Sequence, residues 1–224
     1  MRKLLAIFVL SMAGLSFCVM DANAWTQRPP EPVSNCTIHT PFGWPQANPQ
    51  VSAICRQAYF VGYDAQAKLP RYVTYTLTPQ AALGCVARTN AFVADQSVPG
   101  GAVPADYAGT GYDKGHMAPD GDLSWDQQVE YESFLMTNMI PQSPNLNRIT
   151  WVALEDYCRT LMNAGNELYI ISGGYGSGGT GSNGGVTTTI ASGSINVPAH
   201  CWKVIVVLPT GSNDAVRVTT STRV

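Results

Sequence analysis

The stretch that decides the fold of this 224-residue chain is Asp113-Lys114-Gly115-His116-Met117-Ala118-Pro119. Its histidine stands between a glycine, which allows a sharp turn of the backbone, and a short apolar step to a proline. We expect the His116 ring to point into open space, where an imidazole can accept a proton near neutral pH. His116 is therefore the first candidate for a catalytic base.

A second block follows about two dozen residues later and leads into a helix. Apolar side chains recur at intervals of three and four, which places them on one face of a helix that starts near Trp151. These side chains are Trp151, Leu154, Cys158, Leu161 and Met162. Polar residues bracket the helix start, namely Asn138, Gln142, Asn147 and Glu155. Arg88 lies upstream, on a predicted strand that covers residues 88–95.

The polar residues around this helix suit a hard metal ion. Asparagine is a poor acid or base but a good neutral oxygen ligand for Mg²⁺, which keeps most of its waters. Asn147 and Glu155 are eight residues apart, about 12 Å along a helix, so they cannot easily bind one ion directly. We predict Asn147 as the direct ligand and Glu155 as the residue that holds the waters of the ion. Two simpler roles stay open: Asn147 as a helix N-cap and Glu155 as a solvated surface carboxylate.

Alternating sequence patterns predict an antiparallel sheet. Residues 58–64 and 71–77 are rich in Tyr, Val and Thr and are joined through Lys68-Leu69-Pro70, which is typical of paired strands. Further strands are predicted at residues 167–172, 202–208 and 215–224, the last two as neighbours, and a buried element at residues 131–138. The glycine-rich residues 173–185 predict a flexible surface loop.

Length and composition favour one sizeable domain. Hydrophobic residues make up 45% of the chain and charged residues 12%, with 21 Gly and 15 Pro. This combination is typical of a compact, loop-rich exported protein and excludes a disordered or coiled-coil chain.

Residues 1–24 are predicted to be a signal peptide, with the domain covering residues 25–224. Met1-Arg2-Lys3 is basic, residues 4–20 are apolar or small, and Ala22-Asn23-Ala24 has the small-x-small form of a cleavage site. The apolar run is short for a membrane anchor, and no later segment is long and apolar enough to cross a bilayer. We therefore expect a secreted or periplasmic protein with no membrane partner.

The charge balance restricts how the chain could bind a polyanion. Without Arg2, Lys3 and Asp21 the 13 basic and 15 acidic side chains become 11 and 14, a net charge of about −3. A protein that coats phosphates with Lys and Arg should be basic. Attraction to nucleic acid would have to be local or come from a bound cation.

Five cysteines remain after Cys18 leaves with the signal peptide. An odd number leaves at least one without a partner in the chain, although export permits disulfides. None of their spacings matches a zinc site.

Three other features are weaker candidates for function. Gly174-x-Gly176-x-x-Gly179 follows a strand but lacks the helix and acidic residue that a dinucleotide site needs. Three acidic residues lack the Gly and Glu of a calcium loop and are predicted to form a solvated turn, with the first near the active site: Asp120, Asp122 and Asp126. His39 and His200 stand among apolar neighbours and are predicted to be structural.

Two separate blocks of sequence resemble the DNA/RNA non-specific endonuclease family of the ββα-metal superfamily, and they occur in the order in which that family has them. They are Tyr112 to Pro119, and Thr137-Asn138-Met139-Ile140-Pro141-Gln142-Ser143-Pro144-Asn145-Leu146-Asn147 with Trp151-Val152-Ala153-Leu154-Glu155. The resemblance extends to Arg88, to the paired strands and to Val197-Pro198-Ala199-His200-Cys201-Trp202-Lys203, and covers about residue 55 to the end. It implies an α+β fold with a central antiparallel β-sheet flanked by helices and a ββα-metal motif.

The resemblance also implies roles for individual residues. His116 would activate water, Asn147 would bind a single Mg²⁺, for which Mn²⁺ can substitute, and Glu155 would orient the hydrated ion. Arg88 would stabilise charge in the transition state, and Asn138 would position the histidine loop or the substrate. Asp113, Lys114 and Gln142 are predicted to support the site. The implied reaction is hydrolysis of DNA and RNA phosphodiesters with little sequence preference, leaving 5′-phosphates.

Two departures from the family accompany the resemblance. Lys114 stands where the family usually has arginine, so a contact to phosphate loses the planar bidentate fork. The chain stops at Val224 within a predicted strand, so we expect an incomplete C-terminus. The alternatives to a nuclease are a phosphodiesterase acting on another substrate and a non-catalytic nucleic-acid-binding or adhesion module that retains the fold.

Overall fold

A five-stranded antiparallel sheet forms the centre of the molecule. The computed structural model describes residues 36–45, 51–212 and 214–224, so the predicted signal peptide lies outside the described residues. In the order in which they pair, the strands of this sheet are β1 (Ser52–Cys55), β2 (Phe60–Asp64), β3 (Leu69–Leu77), β6 (Asn166–Tyr175) and β9 (His200–Pro209).

Four of the five strands form where the sequence predicts them, with small differences in their bounds, whereas β1 was not predicted. β2 pairs with β3 from Phe60 opposite Thr74 to Asp64 opposite Leu69. Nearly every residue of both strands is buried, which explains why they are rich in aromatic and β-branched side chains on both faces. Leu69 and Pro70 belong to β3 and not to the connecting turn.

A ββα unit lies beside the sheet. Its strands β4 (Asp113–His116) and β5 (Met139–Gln142) are antiparallel, with His116 opposite Met139. A π-helical segment, Leu146–Trp151, then leads directly into helix α2 (Val152–Asn163). β5 contacts β3, and α2 packs against β6. The predicted α+β class with a ββα motif is therefore confirmed.

Helix α2 presents the predicted apolar face to the core. Trp151, Cys158 and Met162 are buried in the hydrophobic core, and Leu161 packs against it. Gly165, at a φ of +90°, ends the helix in the left-handed conformation that glycine adopts readily.

The remaining regular elements are short. They are α1 (Gln127–Ser133), β7 (Thr189–Ile190), β8 (Ile195–Asn196), α3 (Asp214–Arg217) and the 3-10 turns Pro104–Tyr107, Asp120–Asp122, Met136–Asn138 and Ala191–Gly193. α1 begins after Asp126, whose carboxylate accepts hydrogen bonds from the amides of Gln128 and Val129, as an N-cap does.

Three predictions about these segments are wrong. Residues 88–95 form no strand and make only an isolated bridge between Val93 and Leu135. Residues 131–138 are buried except at Tyr131, as predicted, but they are not one element: they comprise the end of α1, a turn and a 3-10 turn. Residues 215–224 do not form a strand beside β9; α3 covers the first of them, and a single bridge joins Val207 to Arg223.

A disulfide joins Cys36 to Cys55, whereas Cys158 and Cys201 are free thiols. Among the described residues, no helix has the length and apolar character that a membrane span requires.

Candidate active site

A cavity of about 570 Å³ lies between the ββα unit and the segment around Arg88. Six of the eight predicted site residues line it: Arg88, Asp113, Lys114, His116, Asn147 and Glu155. Asn138 and Gln142 do not. Its other lining residues are Asn90, Phe92, Tyr112, Pro119, Asp120, Arg148 and Val152. The residues chosen from two distant blocks of sequence therefore meet at one place.

His116 ends β4 with its ring enclosed by aromatic side chains. The ring centroids of Phe92 and Phe134 lie 5.5 and 5.1 Å from its own. The residue is only 9% exposed, so the prediction of a ring in open space is wrong. Nε2 is buried without a hydrogen-bond partner. Burial, with the nearby charges of Arg88 and Lys203, lowers the pKa of His116 to about 3, so the imidazole is neutral and able to accept a proton.

The backbone around His116 is held from two sides. Trp151 Nε1 donates to the His116 carbonyl at 3.0 Å. Asn138 Oδ1 accepts from the Ala118 amide at 2.9 Å, and its Nδ2 donates to the Ala118 and Ser133 carbonyls at 2.8 Å. Asn138 is fully buried and lies outside the cavity lining, so of its two predicted roles the geometry fits positioning of the histidine loop and not substrate contact.

Asn147 lies inside the π-helical segment and faces β4. Its Nδ2 donates to Asp113 Oδ2 at 2.9 Å, so the N-cap alternative is wrong. The same carboxylate accepts two hydrogen bonds from Arg148, at 2.8 and 2.7 Å. Arg148 first, and then Asn147, lower the pKa of Asp113. Because the amide nitrogen is engaged, the amide oxygen is the atom that Asn147 can offer to a cation.

Glu155 is a buried residue of α2 and not a solvated surface carboxylate, since it is 6% exposed. Its Oε1 has no hydrogen-bond partner and lies 3.9 Å from Lys203 Nζ. Burial raises the pKa of Glu155 to about 7, although the charge of Lys203 opposes the rise. The surface alternative failed because Glu155 falls between Trp151 and Cys158 on the face of α2 that is turned inward.

Arg88 reaches the cavity from an irregular segment. Its Nε donates to Asn90 Oδ1 at 2.8 Å and its Nη1 to Asp120 Oδ2 at 3.1 Å. The guanidinium lies 5.0 Å from the centroid of the Phe134 ring, and the side chain is 46% exposed. Asn90 has a φ of +56°, a strained conformation that often occurs at functional sites.

Two of the three acidic residues predicted to form a solvated turn are buried. Asp120 is 7% and Asp122 0% exposed. Asp120 lines the cavity, as predicted, and keeps a buried Oδ1 without a hydrogen-bond partner. Asp122 accepts from Arg159 at 2.5 Å and from Tyr75 at 3.1 Å, and these bonds offset the loss of hydration on burial.

Lys114 and Gln142 differ in what they contact. Lys114 Nζ lies 4.8 Å from the centroid of Phe92 and 5.9 Å from that of Tyr107, which keeps the ammonium over aromatic faces at the cavity edge. Gln142 is buried against Gly115, and a Cβ at Gly115 would collide with its side chain. Gln142 therefore supports β4 and β5 and does not reach the cavity.

Two features of the site were not predicted from the sequence. They are the aromatic rings of Phe92 and Phe134 around His116 and the ion pair between Asp113 and Arg148 beside Asn147. Phe92 and Phe134 carry no signal that separates them from ordinary core residues. Arg148 could have been found, because it follows Asn147 directly and is the only Lys or Arg between Lys114 and Arg159.

The donor set fits a hard, sparsely bound cation. Asn147, Glu155 and Asp120 line one cavity, and both carboxylates have an oxygen without a hydrogen-bond partner. Within residues 36–45, 51–212 and 214–224, no group of three or more His, Cys, Asp or Glu side chains could hold a metal.

Comparison with known proteins places this geometry in a family. The profile of the DNA/RNA non-specific endonuclease family matches residues 41–223. A nuclease from Nostoc sp. is 35% identical over 210 residues, which cover 89% of this chain and 73% of that protein. The mitochondrial nuclease EXOG of Mus musculus is 30% identical over 184 residues, 80% of this chain and 50% of that protein.

A solved structure shares the fold. A chain in the crystal structure of the EndoG/EndoGI complex superposes with a TM-score of 0.65 at 26% identity, covering 80% of this chain and 81% of that chain. The match to the Nostoc sp. nuclease spans about three quarters of the length of that protein, whereas the match to EXOG spans half.

Proposed function

The chain belongs to the DNA/RNA non-specific endonuclease family, and we propose that it is an exported, Mg²⁺-dependent endonuclease. It hydrolyses phosphodiester bonds of DNA and RNA with little sequence preference and leaves 5′-phosphates. The observation that carries the proposal is the unpartnered Nε2 of His116, buried at a cavity that Arg88, Asn147 and Glu155 also line. A buried polar atom without a partner is uncommon and calls for a functional reason.

His116 acts as the general base. Its neutral imidazole accepts a proton at Nε2 from the water that attacks phosphorus, and the bond to the 3′-oxygen breaks. Burial is the main cause of the pKa of His116 of about 3, and the cationic neighbours Arg88 and Lys203 lower it further. A phosphate anion in the cavity counters these charges and raises the pKa, so the base is strengthened when substrate binds.

Arg88 binds the phosphate. Asp120 and Asn90 hold its guanidinium through Nη1 and Nε, and half of the side chain remains exposed to the cavity. A guanidinium fixed in this way meets the negative charge that grows on phosphate oxygens in the transition state. Lys114 adds a second cation at the cavity edge.

Asn147 and Glu155 would hold the metal ion, Asn147 through its amide oxygen and Glu155 by accepting hydrogen bonds from its waters. When bound, Mg²⁺, or Mn²⁺ in its place, supplies positive charge to the phosphate and the leaving oxygen. Asp113 fixes the Asn147 amide by accepting from Nδ2. Asn138 keeps the His116 loop in register with these residues.

The local charge explains how an acidic chain binds a polyanion. Three cations line the cavity, namely Arg88, Lys114 and Arg148. Two of them are already paired with carboxylates, so the metal provides much of the remaining attraction. Contacts of this kind reach phosphate and sugar and carry no sequence information.

Export is part of the proposal, and it rests on the N-terminal sequence. Residues 1–24 have the basic, apolar and small-x-small regions of a signal peptide. The protein would be secreted or periplasmic, where nucleic acid from outside the cell is the available substrate. The Cys36–Cys55 disulfide is compatible with such an oxidising compartment.

Plasmid nicking with wild type, His116→Ala and His200→Ala tests the proposal. His200 is an exposed histidine that stacks on Tyr175 and does not line the cavity, so it is the matched control. We expect wild type and His200→Ala to cut in Mg²⁺ and to stop in EDTA. We expect His116→Ala to be slower by about 10²- to 10⁴-fold.

Each contrary result has a defined meaning. A wild type that binds DNA in a gel-shift assay without cutting it in Mg²⁺ or Mn²⁺ would be the non-catalytic module. Equal rates for wild type and His116→Ala would remove the general base from the mechanism. A precursor of unchanged mass after expression with the export machinery would contradict cleavage after Ala24.

A further inference from the structure

Lys203 is a buried lysine behind the active site. It lies on β9 opposite Ser172 of β6, and its side chain has 0% exposure. It is not among the residues that line the cavity. A buried ammonium is expensive unless it is paired and hydrogen-bonded, so its contacts indicate why it is there.

The Lys203 ammonium contacts three separate parts of the fold. Nζ donates to the Met117 carbonyl at 3.0 Å and to Ser172 Oγ at 3.0 Å. It lies 3.9 Å from Glu155 Oε1 and 4.5 Å from the centroid of the Trp151 ring. One charged group therefore joins the central sheet, the residue after His116 and the start of α2.

These contacts converge on the two residues whose relative position the site requires. Met117 is covalently attached to His116, and Trp151, under the same ammonium, donates to the His116 carbonyl. Glu155 Oε1 has no hydrogen-bond partner, so the Lys203 charge is what stabilises it as a carboxylate. Arg159, the other cation near Glu155, is engaged by Asp122 and Asp156.

We propose that Lys203 is a positioning residue of the nuclease site, which fixes the His116 loop and the Glu155 carboxylate relative to each other. The inference rests on the proposed function, in which His116 and Glu155 act together. Through Lys203, β9 helps to position the catalytic residues, although this strand lies at the edge of the sheet and outside the cavity. Displacement of a catalytic group by about 1 Å can cost about 10²-fold in rate.

A double-mutant cycle tests this inference. Lys203→Met keeps the apolar stem and removes the charge, and Glu155→Gln removes the charge on the partner. We expect Lys203→Met to lower kcat by about 10²-fold with KM for DNA changed by less than about threefold. In the Glu155→Gln background we expect the same substitution to cost less than about tenfold, since the two residues act as a unit.

A spectroscopic measurement reports on the His116 loop without turnover. The chain has three histidines, so the ring signals of ¹³C-histidine-labelled protein can be assigned with His116→Ala. We expect the chemical shift of the His116 ring to change in Lys203→Met and to be the same as in wild type in Arg223→Met. Arg223 is an exposed cation that contacts Tyr157, so this control removes one positive charge away from the cavity.

A milder variant covers the case in which Lys203→Met does not fold. Ser172→Ala removes one acceptor of the ammonium and keeps its charge; we expect kcat to fall by about fivefold and the His116 signal to move in the same direction.

Full additivity in the cycle, or an unmoved His116 signal in a folded variant, would overturn the role of Lys203. A wild type that cuts nothing would instead refute the proposed function, while the histidine signals would still test whether Lys203 orders the loop.

Discussion

Glu155→Gln in the metal-free protein should change how stability depends on pH. Burial raises the pKa of Glu155 from 4.5 to about 7. A carboxyl group whose pKa is higher in the folded state contributes stability below the unfolded pKa and loses it as pH rises through the folded one. Wild type should therefore lose this contribution between about pH 5 and pH 8, whereas glutamine, which does not titrate, should not.

The size of the effect follows from the pKa values. Each tenfold change in the ionisation constant corresponds to about 1.4 kcal/mol. From about pH 5 to pH 8, the free energy of unfolding of Glu155→Gln should rise relative to wild type by about 2–3 kcal/mol. The absolute values carry a second contribution, because glutamine leaves the buried Lys203 without its ionic partner. The difference between the two pH values is therefore the quantity to compare.

Urea unfolding in EDTA, followed by the fluorescence of the five tryptophans, measures this difference. Asp156→Asn is the matched control, because Asp156 is the next residue of α2 and its side chain is 65% exposed. Its free energy of unfolding relative to wild type should change much less between the two pH values, because the charge of Asp156 is the weakest of the contributions to the pKa of Glu155. Parallel pH profiles for wild type and Glu155→Gln would refute the conclusion that Glu155 is buried at a cost to the fold.

Three other substitutions have defined outcomes. Gly115→Ala should lower the free energy of unfolding by about 1–3 kcal/mol, because the new Cβ collides with Gln142; urea unfolding should show partial recovery when Gln142→Ala is added, and no recovery would contradict the collision. Arg88→Ala should lower kcat by about 10²- to 10³-fold with little change in melting temperature, and Arg88→Lys should recover only part of the rate; a matching loss of stability would point to a structural role. Asn138→Ala removes three buried hydrogen bonds and should lower the free energy of unfolding by about 2–4 kcal/mol; a loss below about 1 kcal/mol would show that other groups hold the His116 loop.

The sequence predicts the parts of the fold in which local pattern and tertiary packing agree. Strands β2 and β3, which contain Tyr63 and Tyr75, have alternating or continuously apolar sequences because both of their faces are buried. Helix α2 has a clear apolar face. The two polar blocks meet at one cavity because β4 and β5 pair. This pairing brings His116 and, through the helix that follows, Asn147 to the same side of the unit.

The failures occur where partners distant in sequence decide the structure. Residues 215–224 contain β-branched residues and read as a strand, but Arg217 bonds to Glu167 and Asp214 and a helical turn forms there. Asp122 reads as a surface acid because its partner Arg159 lies on α2. Local pattern does not contain such pairings, so it could not have predicted the burial of Asp122, whereas the burial of Glu155 follows from its position on the apolar face of α2.

Because of the π-helical segment Leu146–Trp151, the number of residues that precede α2 affects the geometry of the active site. Each residue of a helix turns the chain by about 100°, so the extra residue of a π turn sets the angle at which Asn147 projects relative to Glu155. Deleting one residue before Trp151 would rotate the amide away from the cavity while α2 kept its apolar face on β6. Such a chain would retain every residue named above and still be unable to bring Asn147 and Glu155 to the same substrate.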